Sequence, residues 1–292
     1  MNHIEISKDV KIPVLGFGVF QIPQEQTAEA VKEAIKAGYR HIDTAQSYLN
    51  ETEVGQGIEA SGIDRSELFI TTKVWIENVN YEDTIKSIER SLQRLNLDYI
   101  DLVLIHQPYN DVYGSWRALE ELKETGKIKA IGVSNFGVDR IVDLGIHNQI
   151  QPQVNQIEIN PFHQQEEQVA ALQQENVVVE AWAPFAEGKN QLFQNQLLQA
   201  IADKYNKSIA QVILRWLVER DIVVLAKSVN PERMAQNLDI FDFELTEEDK
   251  QQIATLEEDK QQIATLEESN SQFFSHADPE MIKALTSREL DV

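Results

Sequence analysis

Cysteine is absent from the chain, and its absence excludes disulfides, thiolate metal sites and cysteine nucleophiles together. Basic residues are scarce: 26 Lys and Arg stand against 48 Asp and Glu, a formal charge of −22. Nucleic acids and anionic membranes are gripped through Lys and Arg, so neither is expected as a partner. The same surface repels an anionic cofactor at long range, and any phosphate site needs its own cations within about one Debye length, roughly 10 Å. No Pro/Gly/Ser-rich linker and no long polar gap divides the chain, so residues 1–292 read as a single domain. No apolar run is long enough to span a bilayer, and Met1-Asn2-His3-Ile4-Glu5 lacks the basic-then-apolar order of a signal peptide. A cytoplasmic protein is expected, and the strongly charged surface favours a monomer.

What is present is an alternation of strand-like and helix-like segments. Residues 3 to 12 read as a hairpin in which Ile4, Ile6, Val10 and Ile12 flank Ser7-Lys8-Asp9, placed to cap the bottom of a barrel. Apolar runs then recur at Val14 to Gly18, Tyr39 to Asp43, Leu68 to Lys73, Tyr99 to His106, Ile128 to Val133, Gln153 to Ile157, Val177 to Trp182 and Ile222 to Leu225. Between them lie helical patterns: Ala28 to Ala37 with Thr27 as its cap, Glu51 to Ala60, Tyr81 to Arg94, Trp116 to Thr125, a short one through Ile141, Gln164 to Gln174, Leu197 to Tyr205 and Ile209 to Glu219. Pro231 at a first helical position opens another through Leu238. Eight strands alternating with helices predict an α/β fold, the (β/α)8 TIM barrel, though pattern alone leaves its closure open. Gly16-x-Gly18 is no dinucleotide fingerprint, because the third glycine position holds Gln21 and no helix follows directly.

Four polar residues stand where such a barrel carries its chemistry, at the carboxyl ends of strands. Asp43, Lys73 and His106 each close an apolar run, and Tyr48 follows Asp43 by five residues. Singly, Asp43 reads as a turn residue, Tyr48 as packing, Lys73 as a solvated charge and His106 as a satisfied histidine. At successive strand ends they read as a site. A tyrosine hydroxyl, with a pKa of about 10, donates poorly at neutral pH. An ammonium roughly 4 Å away, at an effective dielectric of about 20, favours the phenolate by about 4 kcal/mol, or about three pKa units before desolvation takes some back. Asp43 would keep Lys73 charged, and a neutral His106 would hydrogen-bond a carbonyl oxygen. The set delivers a proton to a developing alkoxide but contains no electron source, so a hydride must come from a cofactor. His163 and His276 show no ligand spacing, and no metal is expected.

Near the C-terminus Glu247 to Leu256 is followed at once by an identical copy, Glu257 to Leu266. Ten residues turn a helix by about 1000°, roughly 80° short of whole turns, so the copies cannot share a face. The repeat reads as a duplication that extends or bulges a surface helix, without functional content. Ser269 to Val292, carrying Phe273 and Phe274, is expected to fold as a loop over the barrel mouth.

Leu15-Gly16-Phe17-Gly18, Ile42-Asp43-Thr44-Ala45 with Tyr48, Thr72-Lys73, Leu104-Ile105-His106-Gln107-Pro108, Gly132-Val133-Ser134-Asn135-Phe136, and Lys227-Ser228 with Arg233 and Asn237 occur in one order. In them the chain resembles the aldo-keto reductases, and more narrowly the bacterial branch that includes 2,5-diketo-D-gluconate reductases. The resemblance runs from Val14 to the C-terminus, interrupted by the duplicated decapeptide. It implies a catalytic tetrad of Asp43, Tyr48, Lys73 and His106. It implies that Ser134, Asn135 and Gln156 bind the nicotinamide carboxamide and that Trp182 stacks on the ring. Lys227, Ser228 and Arg233 would take the 2'-phosphate of NADPH, and Asn237 would lie near the adenine. These are the local cations that the acidic surface demands. Phe20 and Trp75, with His106, are expected to line a pocket for a small carbonyl substrate. Ala226 stands where the family usually has proline. NADPH-dependent reduction of aldehydes and ketones is the implied activity. The family also allows a non-catalytic NADP(H)-sensing regulatory subunit, while a hydrolase on the same barrel lacks paired carboxylates.

Overall fold

The computed structural model describes residues 2–264, 278–288 and 290. An antiparallel hairpin, β1 (His3–Ser7) and β2 (Val10–Pro13), comes first, with Ile4 opposite Ile12. Eight parallel strands follow: β3 (Leu15–Gly18), β4 (His41–Asp43), β5 (Phe69–Val74), β6 (Ile100–Ile105), β7 (Ile128–Ser134), β8 (Val154–Glu158), β9 (Val178–Trp182) and β10 (Val223–Ala226). They close into a barrel in chain order, because β10 pairs with β9 on one side and β3 on the other. The expected (β/α)8 barrel is therefore the fold, with closure settled.

Alternation along each strand divides its side chains between two cores. Ile42, Ile70, Val103, Ile131 and Val179 belong to the large cluster shared with the helices. Phe69, Leu102, Leu104, Ala130, Val154 and Val223 pack inside the barrel against Ile6 and Ile12, so the hairpin plugs the amino-terminal end as expected. Above this apolar floor the interior turns polar, with His41, Thr71, Gln156 and Glu180 all buried.

Helices α1 (Gln24–Ala37), α2 (Glu51–Ser61), α3 (Tyr81–Leu95), α4 (Val112–Glu124), α5 (Val138–Ile146), α6 (Glu166–Gln174), α7 (Gln196–Tyr205), α8 (Ile209–Val218) and α9 (Pro231–Leu238) occupy the connections. Several start earlier or run longer than the pattern indicates. Thr27 is no cap: α1 begins at Gln24, and the Thr27 hydroxyl donates back to the Pro23 carbonyl at 3.0 Å. Asp111 accepts from the Gly114 amide and so opens α4 four residues before Trp116. Tyr48 lies in a 3-10 turn, Gln46–Tyr48, ahead of α2.

Helix α10 (Glu247–Ala264) runs without a break from the first copy of the sequence repeat into the second as far as Ala264, so the duplication lengthens a helix instead of bulging from one there. In the first copy Asp249, Ile253 and Leu256 are buried, spaced four and three apart on one face. Phe273, Phe274 and His276 lie outside the described residues. After them α11 (Pro279–Thr286) leads to Leu290, whose amide donates to Glu77 at 2.9 Å. Leu285 and Leu290, like Tyr109, pack against Trp75 and Ile76, so this segment returns to the barrel mouth. Among the described residues no helix is long and apolar enough to cross a membrane.

Candidate active site

Asp43 ends β4, Lys73 is the last residue but one of β5, and His106 directly follows β6. Parallel pairing of these strands brings the three to one end of the barrel, where the turn after β4 swings Tyr48 over them. The Lys73 ammonium is fully buried and donates to Asp43 Oδ1 at 2.6 Å, to the Thr44 carbonyl at 2.9 Å and to the Tyr48 hydroxyl at 3.2 Å. An ammonium has three hydrogens, and each has an acceptor here. Because the Tyr48 oxygen accepts from Lys73, its own hydrogen is left to point elsewhere. His106 meets Tyr48 edge-on at 5.7 Å between ring centroids and Trp75 at 5.3 Å, and Phe20 lies 4.9 Å from the Tyr48 ring. The structure thus brings the four expected catalytic residues together, with Phe20 and Trp75 beside them.

The electrostatics correct one expectation. Burial pushes the Tyr48 phenol above its ordinary value; Lys73 opposes this, and Asp43 and Glu180 add to it. The net direction is upward, not downward, because the phenolate loses its water while the charge of Lys73 is already shared with Asp43. A phenol that keeps its proton is the loaded form of a general acid. Burial also works against the Lys73 ammonium, yet Asp43 and Tyr48 hold its pKa above the usual lysine value. Burial, then the Lys73 charge, pushes His106 well below the ordinary histidine value, so its ring is neutral. Ser47 Oγ lies 3.3 Å from His106 Nδ1, a contact in which either atom can be the donor; the tautomer that carries its hydrogen on Nε2 accepts from Ser47 there and can donate to a carbonyl oxygen.

Of the expected carboxamide-binding residues, Ser134 ends β7, Asn135 follows it and Gln156 lies in the middle of β8, while Trp182, expected to stack on the ring, ends β9. Ser134 Oγ donates to the Gln156 carbonyl at 2.9 Å and accepts from Asn135 Nδ2 at 3.1 Å. Asn135, at a φ of 65°, also donates to the His106 carbonyl and accepts from the Trp182 indole at 3.0 Å. Gln156 Nε2 donates to Asp43 Oδ2 at 3.0 Å and to Glu180 Oε2 at 2.9 Å. With these donors committed, what Ser134, Asn135 and Gln156 have left is acceptor capacity, which suits the NH2 of a carboxamide. Lys227 and Arg233 are exposed and Ser228 is half-buried, beside the start of α9, where the Asn230 side chain accepts from the Arg233 amide at 3.1 Å. A helix N-terminus with two free-standing cations suits a phosphate. Asn237 is buried, its side chain hydrogen-bonded to Tyr39. Ala226 is the buried last residue of β10. The residues present fit NADPH.

A cavity of about 430 Å³ opens at the mouth beside the tetrad; Asn135, Trp182, Tyr109 and Arg140 line it, but Tyr48, Lys73 and His106 do not. Among the described residues no group of three or more His, Cys, Asp or Glu could hold a metal ion. Sequence reasoning missed two residues. Ser47 gave no signal beyond its place next to Tyr48. Glu180 had one, an acid in the middle of the apolar run Val177 to Trp182.

Comparison with known proteins agrees with this geometry. The Aldo/keto reductase family profile matches residues 14–258. A glyoxal reductase of Bacillus subtilis is 48% identical over 257 residues, covering 87% of this chain and 92% of that protein. The crystal structure of an aldo/keto reductase from Brucella melitensis superposes with a TM-score of 0.83 at 43% identity, covering 87% of this chain and 99% of that one. That of a Bombyx mori aldo-keto reductase, in complex with NADP, gives a TM-score of 0.83 at 36% identity, with 87% and 92% covered. Barrel, assembled tetrad and sequence kinship lead to one conclusion: the chain belongs to the aldo/keto reductase family.

Proposed function

We propose that the protein, as one barrel domain working as a monomer in the cytoplasm, reduces aldehydes and ketones to alcohols with NADPH, Tyr48 acting as general acid, in the manner of the 2,5-diketo-D-gluconate reductases. The observation that carries this reading is the threefold capture of the Lys73 ammonium by Asp43, Thr44 and Tyr48, which leaves the phenol hydrogen to point away from Lys73. NADPH supplies the hydride when bound. His106, neutral and steered by Ser47, holds the carbonyl oxygen within reach of Tyr48. As negative charge grows on that oxygen, Tyr48 gives up its proton, and Lys73 stabilises the phenolate left behind. Asp43 keeps Lys73 charged throughout. Phe20 and Trp75 flank the reacting oxygen with apolar surface, and Trp182, held by Asn135, offers an aromatic face for the nicotinamide. Lys227, Ser228 and Arg233 take the 2'-phosphate, while Asn237 sits near the adenine.

The kinship with a glyoxal reductase supports small 2-oxoaldehydes as a substrate class. Purified protein mixed with glyoxal or methylglyoxal should consume NADPH one for one with carbonyl, and consume NADH far more slowly. No NADPH consumption across a panel of aldehydes and ketones would contradict the reading.

A further inference from the structure

Beneath the tetrad the barrel holds a second buried carboxyl group. Glu180 on β9 is the register neighbour of Gln156 on β8, and both side chains point into the barrel. The Gln156 amide nitrogen stands between two carboxyl groups, 3.0 Å from Asp43 Oδ2 and 2.9 Å from Glu180 Oε2. The other oxygen of Glu180 has no hydrogen-bond partner among the described residues and lies 3.7 Å from His41 Nε2, which in turn sits 3.0 Å from Thr71 Oγ1. His41 fills space that a side chain on β3 would otherwise take: a Cβ on Gly16 would lie 2.6 Å from its Nδ1.

The titratable groups that face Glu180 are Asp43 and His41 on β4, Lys73 on β5 and Tyr48 beyond it. His41 is neutral, since burial and then Lys73 push it down to about 3. One ammonium therefore serves two buried carboxyl groups. Lys73 spends its bonds on Asp43, Thr44 and Tyr48 and none on Glu180, so two carboxylates would leave an uncompensated negative charge in the dry interior. Burial and the neighbouring Asp43 accordingly push the Glu180 carboxyl up to about 8.

We propose that Glu180 is a positioning residue of the reaction: carrying its proton, it pins the Gln156 amide against Asp43. It thereby fixes the oxygen that Gln156 offers the nicotinamide carboxamide and the carboxylate that holds Lys73. The inference rests on the reductase reading above. Above neutral pH, loss of the Glu180 proton places a second negative charge near Tyr48 and makes the phenol a poorer acid.

The test compares wild type, Glu180→Leu and Glu180→Gln. Leucine removes the clamp and should lower kcat about tenfold to a hundredfold, the scale of a misplaced reacting group. Glutamine imitates the protonated acid; it should restore most of that loss at pH 7 and carry the kcat plateau to higher pH than wild type. An infrared pH-difference spectrum of the protein without cofactor should show a buried carboxylic C=O band in wild type that Glu180→Gln lacks. The inference is overturned if the glutamine variant is as damaged as the leucine one at pH 7, if both match wild type throughout, or if the band is missing. Should Glu180→Leu not fold, the glutamine profile and the infrared band decide. Should wild type reduce no carbonyl, the functional reading falls and the infrared band alone judges Glu180.

Discussion

Lys73 keeps its charge in a place with no water because every hydrogen of its ammonium is met. Removing one partner of such a pair costs more than removing both, since an unpaired buried charge is left behind. Lys73→Met should lower stability by about 3–5 kcal/mol in urea unfolding and abolish turnover. Adding Asp43→Asn should return most of the stability and none of the turnover; losses that simply add would contradict the pairing. Asp43, Lys73 and His106 were legible in the sequence because each interrupts or ends an apolar run. Glu180 was not, because an acid inside Val177 to Trp182 does not say which strand supplies its partner. The direction of the Tyr48 shift was misjudged for a related reason: a two-charge estimate leaves out the burial of the phenolate and the prior claim of Asp43 on Lys73.

Strands were easier to find than helix ends. Fully buried strands such as β6 read as unbroken apolar runs, and all eight barrel strands lie within or close to the stretches that the pattern marks. Helix starts depend on single groups, the Asp111 carboxylate for α4 or Pro23 before α1, and periodicity does not register them. Barrel closure depends on β10 meeting β3 across more than two hundred residues, which no local pattern reports. Helix α10 shows what a repeat does to an element. Its first copy buries Asp249, Ile253 and Leu256, and Glu257 accepts from the Gln164 amide. Deleting Glu257 to Leu266 removes the last eight described residues of the helix, about 12 Å at 1.5 Å per residue. It still leaves a glutamate directly after Leu256, because Glu267 follows the second copy. The deletion should therefore keep the melting temperature within a few degrees and keep turnover of a small aldehyde. A collapse of either would give the repeat a role.

At the scale of the molecule, buried uncharged groups shape stability against pH, His41 and Glu180 among them. His41 falls from 6.5 to about 3, so the unfolded chain binds its proton first and stability drops as pH falls through that window. Glu180 rises from 4.5 to about 8, so the unfolded chain loses its proton first and stability drops as pH rises through that window. Where the windows overlap, between 4.5 and 6.5, the two slopes oppose each other. His106, also pushed well down, adds to the first slope, and Asp43 and Glu51, pushed up by burial, add to the second, so urea midpoints should be highest about there and fall on either side. In Glu180→Gln the decline toward pH 8 should shrink, and an unchanged decline would assign it to other groups. Net charge requires any phosphate site to bring its own cations, and Lys227 stands exposed before α9 and Arg233 within its first turn. A purely sensing role gains no support from an assembled tetrad or from kinship with a glyoxal reductase.

The most direct test is single-turnover oxidation of bound NADPH by methylglyoxal in Tyr48→Phe. That variant removes one oxygen from the grasp of Lys73 and leaves the cofactor-binding residues in place. The rate should fall by about a hundredfold to ten-thousandfold, the range of general acid catalysis, with NADPH affinity close to wild type. A rate near that of wild type would mean that the proton comes from another group.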